Sequence, residues 1–137
     1  MSKPVLGIIG GGQLGSMLAT AAKKIGIKTV IFCDDQDAPA QSFSDKFICG
    51  KYDDQNIIDE FINAIDIATF EFENIPYETL NKINNIKSVL PNPSINKIVQ
   101  NRLFEKDYIN KLNIRTTQYV SINNEKEIYI NKDFLPG

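Results

Sequence analysis

The sequence predicts an α/β domain in which helices cover both faces of a Rossmann-like parallel sheet. Short apolar runs alternate with amphipathic helical stretches from Val5 to Leu90, an order typical of strand–helix–strand units. A glycine-rich turn at residues 10–15 separates the first apolar run from the first helical stretch. The chain has 137 residues, 42% of them hydrophobic, which is enough for one domain with a buried core.

The first two strands and the helix between them are predicted from hydrophobic periodicity. Residues 5–9 form a short apolar run that reads as a buried strand, and residues 27–32 form a second one. Gly26 is a stop signal for the intervening helix. The apolar positions of that helix recur on one helical stripe, namely Leu14, Met17, Leu18, Ala21, Ala22 and Ile25.

The middle of the chain continues the alternation. A polar loop over residues 34–40 leads to a short strand at 46–49. Asp53 or Asp54 can cap the next helix, and Pro76 suits the first turn of the one after. Further strands are predicted at residues 67–72 and 88–90.

The last third of the chain departs from this pattern. Ser94 is expected to cap a helical segment over residues 95–112, with a kink near Asn101. Residues 119–122 are predicted to begin a strand, and residues 123–137 are weakly patterned.

Composition and charge exclude several classes of function. The net charge of -2 and the absence of a basic run argue against nucleic-acid binding. The apolar stretches are too short for a membrane span, and the N-terminus lacks a signal-peptide pattern, so a cytoplasmic protein is expected. Because the chain has no His, catalytic triads and zinc sites that need an imidazole are excluded.

The glycine turn fits the G-x-G-x-x-G spacing and stands between a predicted strand and a predicted helix. Gly10 permits a tight turn, Gly12 lets a ligand approach the backbone, and Gly15 lets the helix pack close to the strand. The free N–H groups at the helix start attract ligand oxygens. On local pattern alone, a nucleotide site and a tight turn without a ligand both remain open.

Asp34 supports a competing interpretation. It follows the second strand, 22 residues after Gly12, where a dinucleotide-binding domain places the acid that holds the adenosine ribose. An NAD-binding oxidoreductase therefore remains an alternative, and so does a Rossmann-like interaction module without catalytic activity.

Two carboxylates mark the end of the predicted fourth strand. Alternation along an extended strand puts Glu71 and Glu73 on one face and Phe70 and Phe72 on the other. Buried carboxylates need partners, and a ligand that bears hydroxyls or an amine would supply them. The alternative is a solvated strand end followed by a turn at Asn74.

Four segments, taken in order, resemble the N-terminal region of the carboxyaminoimidazole ribonucleotide synthase family of ATP-grasp ligases. The similarity runs in register from Leu6 to Leu112. The segments are Gly-Gly-Gly-Gln-Leu-Gly at residues 10–15, Asp-Ala-Pro-Ala at 37–40, Glu-Phe-Glu-Asn-Ile-Pro at 71–76 and Asn-Arg-Leu-Phe-Glu-Lys at 101–106. The resemblance implies a pre-ATP-grasp, substrate-binding domain over residues 1–100. It also implies a linker helix and the start of an ATP-grasp domain over residues 101–137.

The resemblance implies a ligase that uses ATP and bicarbonate to form carboxyphosphate and then carboxylates the amine of aminoimidazole ribonucleotide. Mg²⁺ would bridge the ATP phosphates. In the family most ATP and metal ligands lie beyond the position of Gly137. The chain is therefore expected to be an N-terminal fragment, inactive by itself, with no catalytic residue or metal ligand. A homodimer is expected for the full-length enzyme.

The resemblance also assigns roles to matching positions. The turn residues and the acidic strand end would bind the substrate through Gly12, Gln13, Leu14, Glu73 and Asn74, with Glu73 near the ribose or the amine. Arg102 would reach ATP phosphate oxygens. The related glycinamide ribonucleotide transformylase is a further alternative, although its turn tends to carry Glu where Gln13 stands and it lacks the Phe-Glu-Asn signature.

Overall fold

The computed structural model describes residues 3–134 of the chain. The chain divides into two compact units, Met1–Gln100 and Asn101–Gly137. Among the described residues, the first unit holds a five-stranded sheet of order β3-β2-β1-β4-β5 in which every neighbouring pair is parallel. Its strands are β1 (Leu6–Ile9), β2 (Thr29–Cys33), β3 (Lys46–Cys49), β4 (Ile67–Phe70) and β5 (Val89–Leu90). This order confirms the predicted Rossmann-like fold.

The helices follow the strands in the predicted alternation. In the first unit they are α1 (Gln13–Lys24), α2 (Gln55–Ala64), α3 (Tyr77–Asn84) and α4 (Pro93–Val99), with a 3₁₀ helix at Pro39–Phe43. The second unit contains α5 (Arg102–Lys111), α6 (Glu125–Ile130) and a 3₁₀ helix at Lys132–Phe134. No helix within residues 3–134 is both long enough and apolar enough to cross a membrane.

Both faces of the sheet are covered by packed side chains. Each strand contributes to both faces, because successive strand residues point to opposite sides. On one face, Ile8 and Ile31 pack with Ala19 of α1. On the other face, Ile9 and Phe32 belong to the larger core that α2 and α3 complete. The ring centroids of Phe32 and Phe61 are 5.3 Å apart across this larger core.

Helix α1 packs on the sheet through small residues and not through the large residues of its predicted apolar stripe, of which only Ala22 is buried. Gly15, Ala19 and Ala22 are buried, whereas Met17 is 60% exposed and Ile25 is 62% exposed. A Cβ atom on Gly15 would lie 2.8 Å from the carbonyl oxygen of Gly10. The helix is thus where the pattern predicts it, but it lies too close to β1 for large side chains to fit between them.

Asx residues cap the helices that follow β3 and β5. Asp54 caps α2 by accepting from the N–H of Asn56 at 2.9 Å. The predicted cap of α4 was wrong, because Asn92 accepts from the N–H of Ser94 at 2.9 Å. The expected helix over residues 95–112 is two helices, since Asn101 adopts an extended conformation and caps α5.

The predicted strand at residues 119–122 was also wrong. A strand needs a hydrogen-bonded neighbour, and the structure assigns no strand between residues 101 and 134. In the weakly patterned region, Asn124 caps α6 by accepting from the N–H of Glu127. Residues 135–137 lie outside the described part of the chain.

Candidate ligand-binding cleft

A cleft of about 250 Å³ lies at the carboxyl ends of β1, β2 and β4. Register places Ile9 beside both Phe32 and Phe70, so the residues that follow these three strands share one edge of the sheet. This edge is where open α/β sheets bind ligands. The cleft is lined by Gly10, Gly11, Gly12, Cys33, Asp34, Asp35, Ala38, Pro39, Tyr52, Glu71 and Phe72.

The glycine turn is held by backbone hydrogen bonds to its neighbours. The N–H of Gly10 donates to the carbonyl of Phe32 at 2.8 Å, and the carbonyl of Gly11 accepts from the N–H of Ala40 at 3.0 Å. Gly10 has a φ of 117°, which residues with a side chain rarely adopt. Gly12 is the N-cap residue of α1 and provides no side-chain cap, so the start of the helix faces the cleft with its backbone.

Glu71 joins the acidic strand end to the glycine turn. Its own N–H donates to the carbonyl of Ile9 at 3.2 Å, which continues the β4–β1 pairing by one residue. Its side-chain Oε1 accepts from the N–H of Gly12 at 3.2 Å. A carboxylate at this position interacts favourably with the positive end of the α1 dipole. The chain's own carboxylate therefore occupies the space that a ligand oxygen would take at this N–H.

The electrostatics of the cleft favour ligands that donate hydrogen bonds. Asp34, Asp35 and Glu71 line it, and its described lining contains no Lys or Arg. Burial raises the pKa of the Tyr52 phenol, and the charge of Asp34 adds to this effect. Burial also raises the pKa of the Cys33 thiol, which donates to the carbonyl of Asp35 at 3.2 Å. Three carboxylates beside two neutral acids form an acceptor-rich site suited to hydroxyl or amine groups.

The three predicted turn residues have different surroundings. Gly12 lines the cleft, whereas Gln13 lines a separate, open groove of about 690 Å³ along α1 together with Met17 and Phe43. Leu14 is more than half exposed. Although the α1 groove is larger, its lining contains no carboxylate. We therefore assign the ligand chemistry to the smaller cleft.

The acidic strand end is arranged differently from the expected alternation. Because β4 ends at Phe70, the chain turns after it, and Glu71 lies in the cleft while Glu73 and Asn74 are exposed. The carbonyl of Glu73 accepts from Nε2 of Gln100 at 2.7 Å. The sequence pattern places Glu71 at the strand end, but the family resemblance assigns no role to it. The signal in the sequence that indicates a role for Glu71 is its position directly after an apolar run, at the carboxyl end of a strand.

Asn96 of α4 and Gln100, the C-cap residue of α4, hold the loop that carries Glu73. Nε2 of Gln100 donates to the carbonyl of Ile75 at 2.8 Å as well as to that of Glu73. Nδ2 of Asn96, which is completely buried, donates to the same Ile75 carbonyl at 2.9 Å. Three side-chain hydrogen bonds thus fix two carbonyls of the loop.

Arg102 belongs to the second unit, where it is the first residue of α5. Its guanidinium is exposed and pairs with the carboxylate of Glu105 one turn later. The Arg102 side chain is 76% exposed, whereas the Glu105 side chain is 22% exposed, and an exposed guanidinium can form paired hydrogen bonds with a phosphate group.

The described residues do not fit a metal site. Among residues 3–134, no group of three or more His, Cys, Asp or Glu side chains converges as metal ligands would. Asp34, Asp35 and Glu71 share the cleft without such convergence. No step is therefore assigned to a metal bound by these residues.

Comparison with known proteins shows consistent similarity. The chain is 37% identical over 123 residues to an N5-carboxyaminoimidazole ribonucleotide synthase of Brucella melitensis, covering 90% of this chain and 34% of that protein. It is 38% identical over 117 residues to a bifunctional purine synthesis protein of Dictyostelium discoideum, covering 85% of this chain and 12% of that protein. The crystal structure of N5-carboxyaminoimidazole synthetase from Staphylococcus aureus with ADP matches with a TM-score of 0.88 and 30% identity, covering 96% of this chain and 35% of that one.

These matches confirm the resemblance that the four motifs predict, and they do not favour the oxidoreductase or transformylase alternatives. The chain spans about a third of the length of the synthases from Brucella melitensis and Staphylococcus aureus. Residues 2–100 match the family model described as the ribonucleotide synthetase pre-ATP-grasp domain. The chain belongs to this family of pre-ATP-grasp domains.

Proposed function

We propose that the chain is the N-terminal, substrate-binding part of a cytoplasmic carboxyaminoimidazole ribonucleotide synthase. The observation that carries the proposal is the acceptor-rich cleft in which Glu71 lies against the glycine turn. Aminoimidazole ribonucleotide has ribose hydroxyls and an exocyclic amine, and both are donors that such a cleft can accept. The named synthases among the relatives support the same substrate class.

The cleft provides complementary partners for a ribose. A ribose hydroxyl can donate to a carboxylate oxygen of Glu71 and accept from an N–H group of the first turn of α1, where the helix supplies no acceptor. The N–H groups of Gln13 and Leu14 lie in this turn. Glu73 and Asn74, on the exposed loop after β4, would contact the ribose or the amine.

The proposed reaction divides between this chain and the rest of the enzyme. Bicarbonate is phosphorylated by ATP to carboxyphosphate, with release of ADP, and the substrate amine attacks the activated carboxyl group and displaces phosphate. The residues of this chain would bind and orient the substrate, and Arg102 would contact ATP phosphate oxygens. Most groups that bind ATP, bicarbonate and Mg²⁺ would lie outside this chain, in a homodimeric enzyme.

Ligand titration tests this proposal. Aminoimidazole ribonucleotide is expected to shift the backbone amide resonances of residues 10–14 in the ¹⁵N-labelled chain, and Glu73→Ala is expected to weaken the binding. Unchanged binding in Glu73→Ala would argue against the role of Glu73. Enhancement of NADH fluorescence by the chain, without response to the ribonucleotide, would instead support an oxidoreductase, for which Asp34 is suitably placed in the cleft.

A further inference from the structure

The N–H of Gly12 at the start of α1 is already occupied. In a dinucleotide-binding domain the glycine turn and the helix start hold a pyrophosphate, because their N–H groups and the helix dipole attract an anion. Here Oε1 of Glu71 accepts from the N–H of Gly12 at 3.2 Å. The anion at this helix start is therefore a side chain of the protein.

The glycine turn is shaped around this carboxylate. A Cβ atom on Gly10 would lie 2.5 Å from Oε1 of Glu71 and 3.0 Å from its Cδ. The carboxylate thus fills the volume that the absence of a side chain at Gly10 leaves free. At Gly12 the corresponding distance to Oε1 is 3.5 Å, an ordinary contact, so the carboxylate also packs closely against the helix start.

The surrounding charges reinforce the effect of Glu71. Asp34 and Asp35 line the same cleft, and no Lys or Arg in its described lining offsets the three negative charges. A phosphate group that approached the first turn of α1 would meet like charge in a partly enclosed space, where screening by water is reduced. The usual attraction of a helix start for phosphate is thereby opposed.

We infer that Glu71 is a specificity-determining residue which closes the glycine turn to phosphate groups and leaves a cleft for neutral hydroxyl or amine donors. This inference goes beyond the proposed function, because the closure depends only on Glu71 and the turn and holds whichever donor ligand is the substrate. It also explains how a glycine motif with the spacing of a dinucleotide site can serve a ligand that places no phosphate group there.

Inorganic pyrophosphate is the direct probe of this inference. Titrated into the ¹⁵N-labelled chain, it is expected to leave the Gly12 amide of the wild type without a saturable shift. Glu71→Ala removes the carboxylate and is expected to bind pyrophosphate at this amide at least about tenfold more tightly, which corresponds to about 1.4 kcal/mol. Glu78→Ala is the matched control, because it removes one exposed carboxylate of α3 and should behave as the wild type.

A second variant, Glu71→Gln, separates the effect of a side-chain oxygen at the Gly12 N–H from the effect of the negative charge. It also provides a second test if Glu71→Ala does not fold. Glu71→Gln keeps a side-chain oxygen that can accept from Gly12, so its gain in pyrophosphate affinity should be smaller than that of Glu71→Ala. The dispersion of the amide spectrum shows whether each variant is folded.

Four results would overturn the inference. The first is saturable pyrophosphate binding at Gly12 of the wild type with the same affinity as in Glu71→Ala, and the second is a folded Glu71→Ala that shows no gain in pyrophosphate affinity. The third and fourth are gains in pyrophosphate affinity in Glu78→Ala or in Glu71→Gln that equal the gain in Glu71→Ala. Because the probe is pyrophosphate, this outcome is independent of whether aminoimidazole ribonucleotide binds.

Discussion

Substitution of Gly10 by Ala tests the geometry of the glycine turn most sharply. The φ of 117° at this residue imposes a strain of about 1–3 kcal/mol on a residue with a Cβ atom. The new Cβ would also lie 2.5 Å from Oε1 of Glu71, so the carboxylate must move and its hydrogen bond to Gly12 is lost, at a cost of about 1 kcal/mol. We expect Gly10→Ala to lower the free energy of unfolding by about 2–4 kcal/mol.

A double-mutant cycle separates the two contributions. In a Glu71→Ala background the side-chain clash is absent, so Gly10→Ala should cost only the backbone strain of about 1–3 kcal/mol. The coupling between the two positions should therefore be about 1 kcal/mol. Urea unfolding followed by circular dichroism measures all four free energies, provided that the m-values agree.

Gly12→Ala is the control for this cycle. Gly12 has a φ of -75° and its Cβ would meet Glu71 only at 3.5 Å, so the change should cost about 1 kcal/mol or less. A cost for Gly10→Ala no larger than that of the control would refute the assigned conformation of the turn. Absence of coupling would refute the contact between Glu71 and Gly10.

Three further changes have defined outcomes. Asp54→Ala should destabilise the chain by about 1 kcal/mol through loss of the α2 cap, measured by urea unfolding, and Asp54→Asn should retain most of the stability. Gln100→Ala removes the side-chain donor to the Glu73 carbonyl and one of the two donors to the Ile75 carbonyl, and it should speed amide hydrogen exchange at Ile75; exchange at the wild-type rate would contradict this role. The free energy of unfolding should fall above about pH 10, because the Tyr52 phenol ionises in the unfolded state while burial keeps it protonated in the folded state. This fall in the free energy of unfolding should be reduced in Tyr52→Phe by up to about 1.4 kcal/mol per pH unit. A pH profile of Tyr52→Phe identical to that of the wild type would contradict the raised pKa of Tyr52.

The sheet was predictable because its signals are local. Buried parallel strands are nearly continuous apolar runs, and the runs at Leu6–Ile9 and Thr29–Cys33 are buried along almost their whole length. The alternation of such runs with helices then limits the topology to a few parallel arrangements.

The packing of α1 was not predictable from periodicity. The large apolar residues of this helix form a stripe, yet its small residues face the sheet. The distance between α1 and β1 decides which residues of α1 face the sheet, and this distance cannot be read from a sequence pattern. The same limit applies near Asn101, where Gln100 and the extended Asn101 separate two helices.

The candidate site was predictable in its location but not in its side chains. The glycine turn and the acidic strand end meet at one edge of the sheet because their strands are parallel neighbours. The expected alternation of Glu71 and Glu73 failed because β4 ends one residue before Glu71. The contact between Glu71 and Gly12 spans 59 residues, and no local pattern encodes it.

We propose that the carboxylate of Glu71 and the glycine turn form one binding site for the donor groups of a ribonucleotide. The most direct measurement is the titration of aminoimidazole ribonucleotide into the ¹⁵N-labelled wild type, Glu71→Ala and the control Glu78→Ala. We expect saturable shifts at the amides of residues 10–12 in the wild type and in Glu78→Ala, and their loss in Glu71→Ala. Equal binding by the wild type and Glu71→Ala, or shifts confined to the α1 groove around Met17 and Phe43, would contradict it.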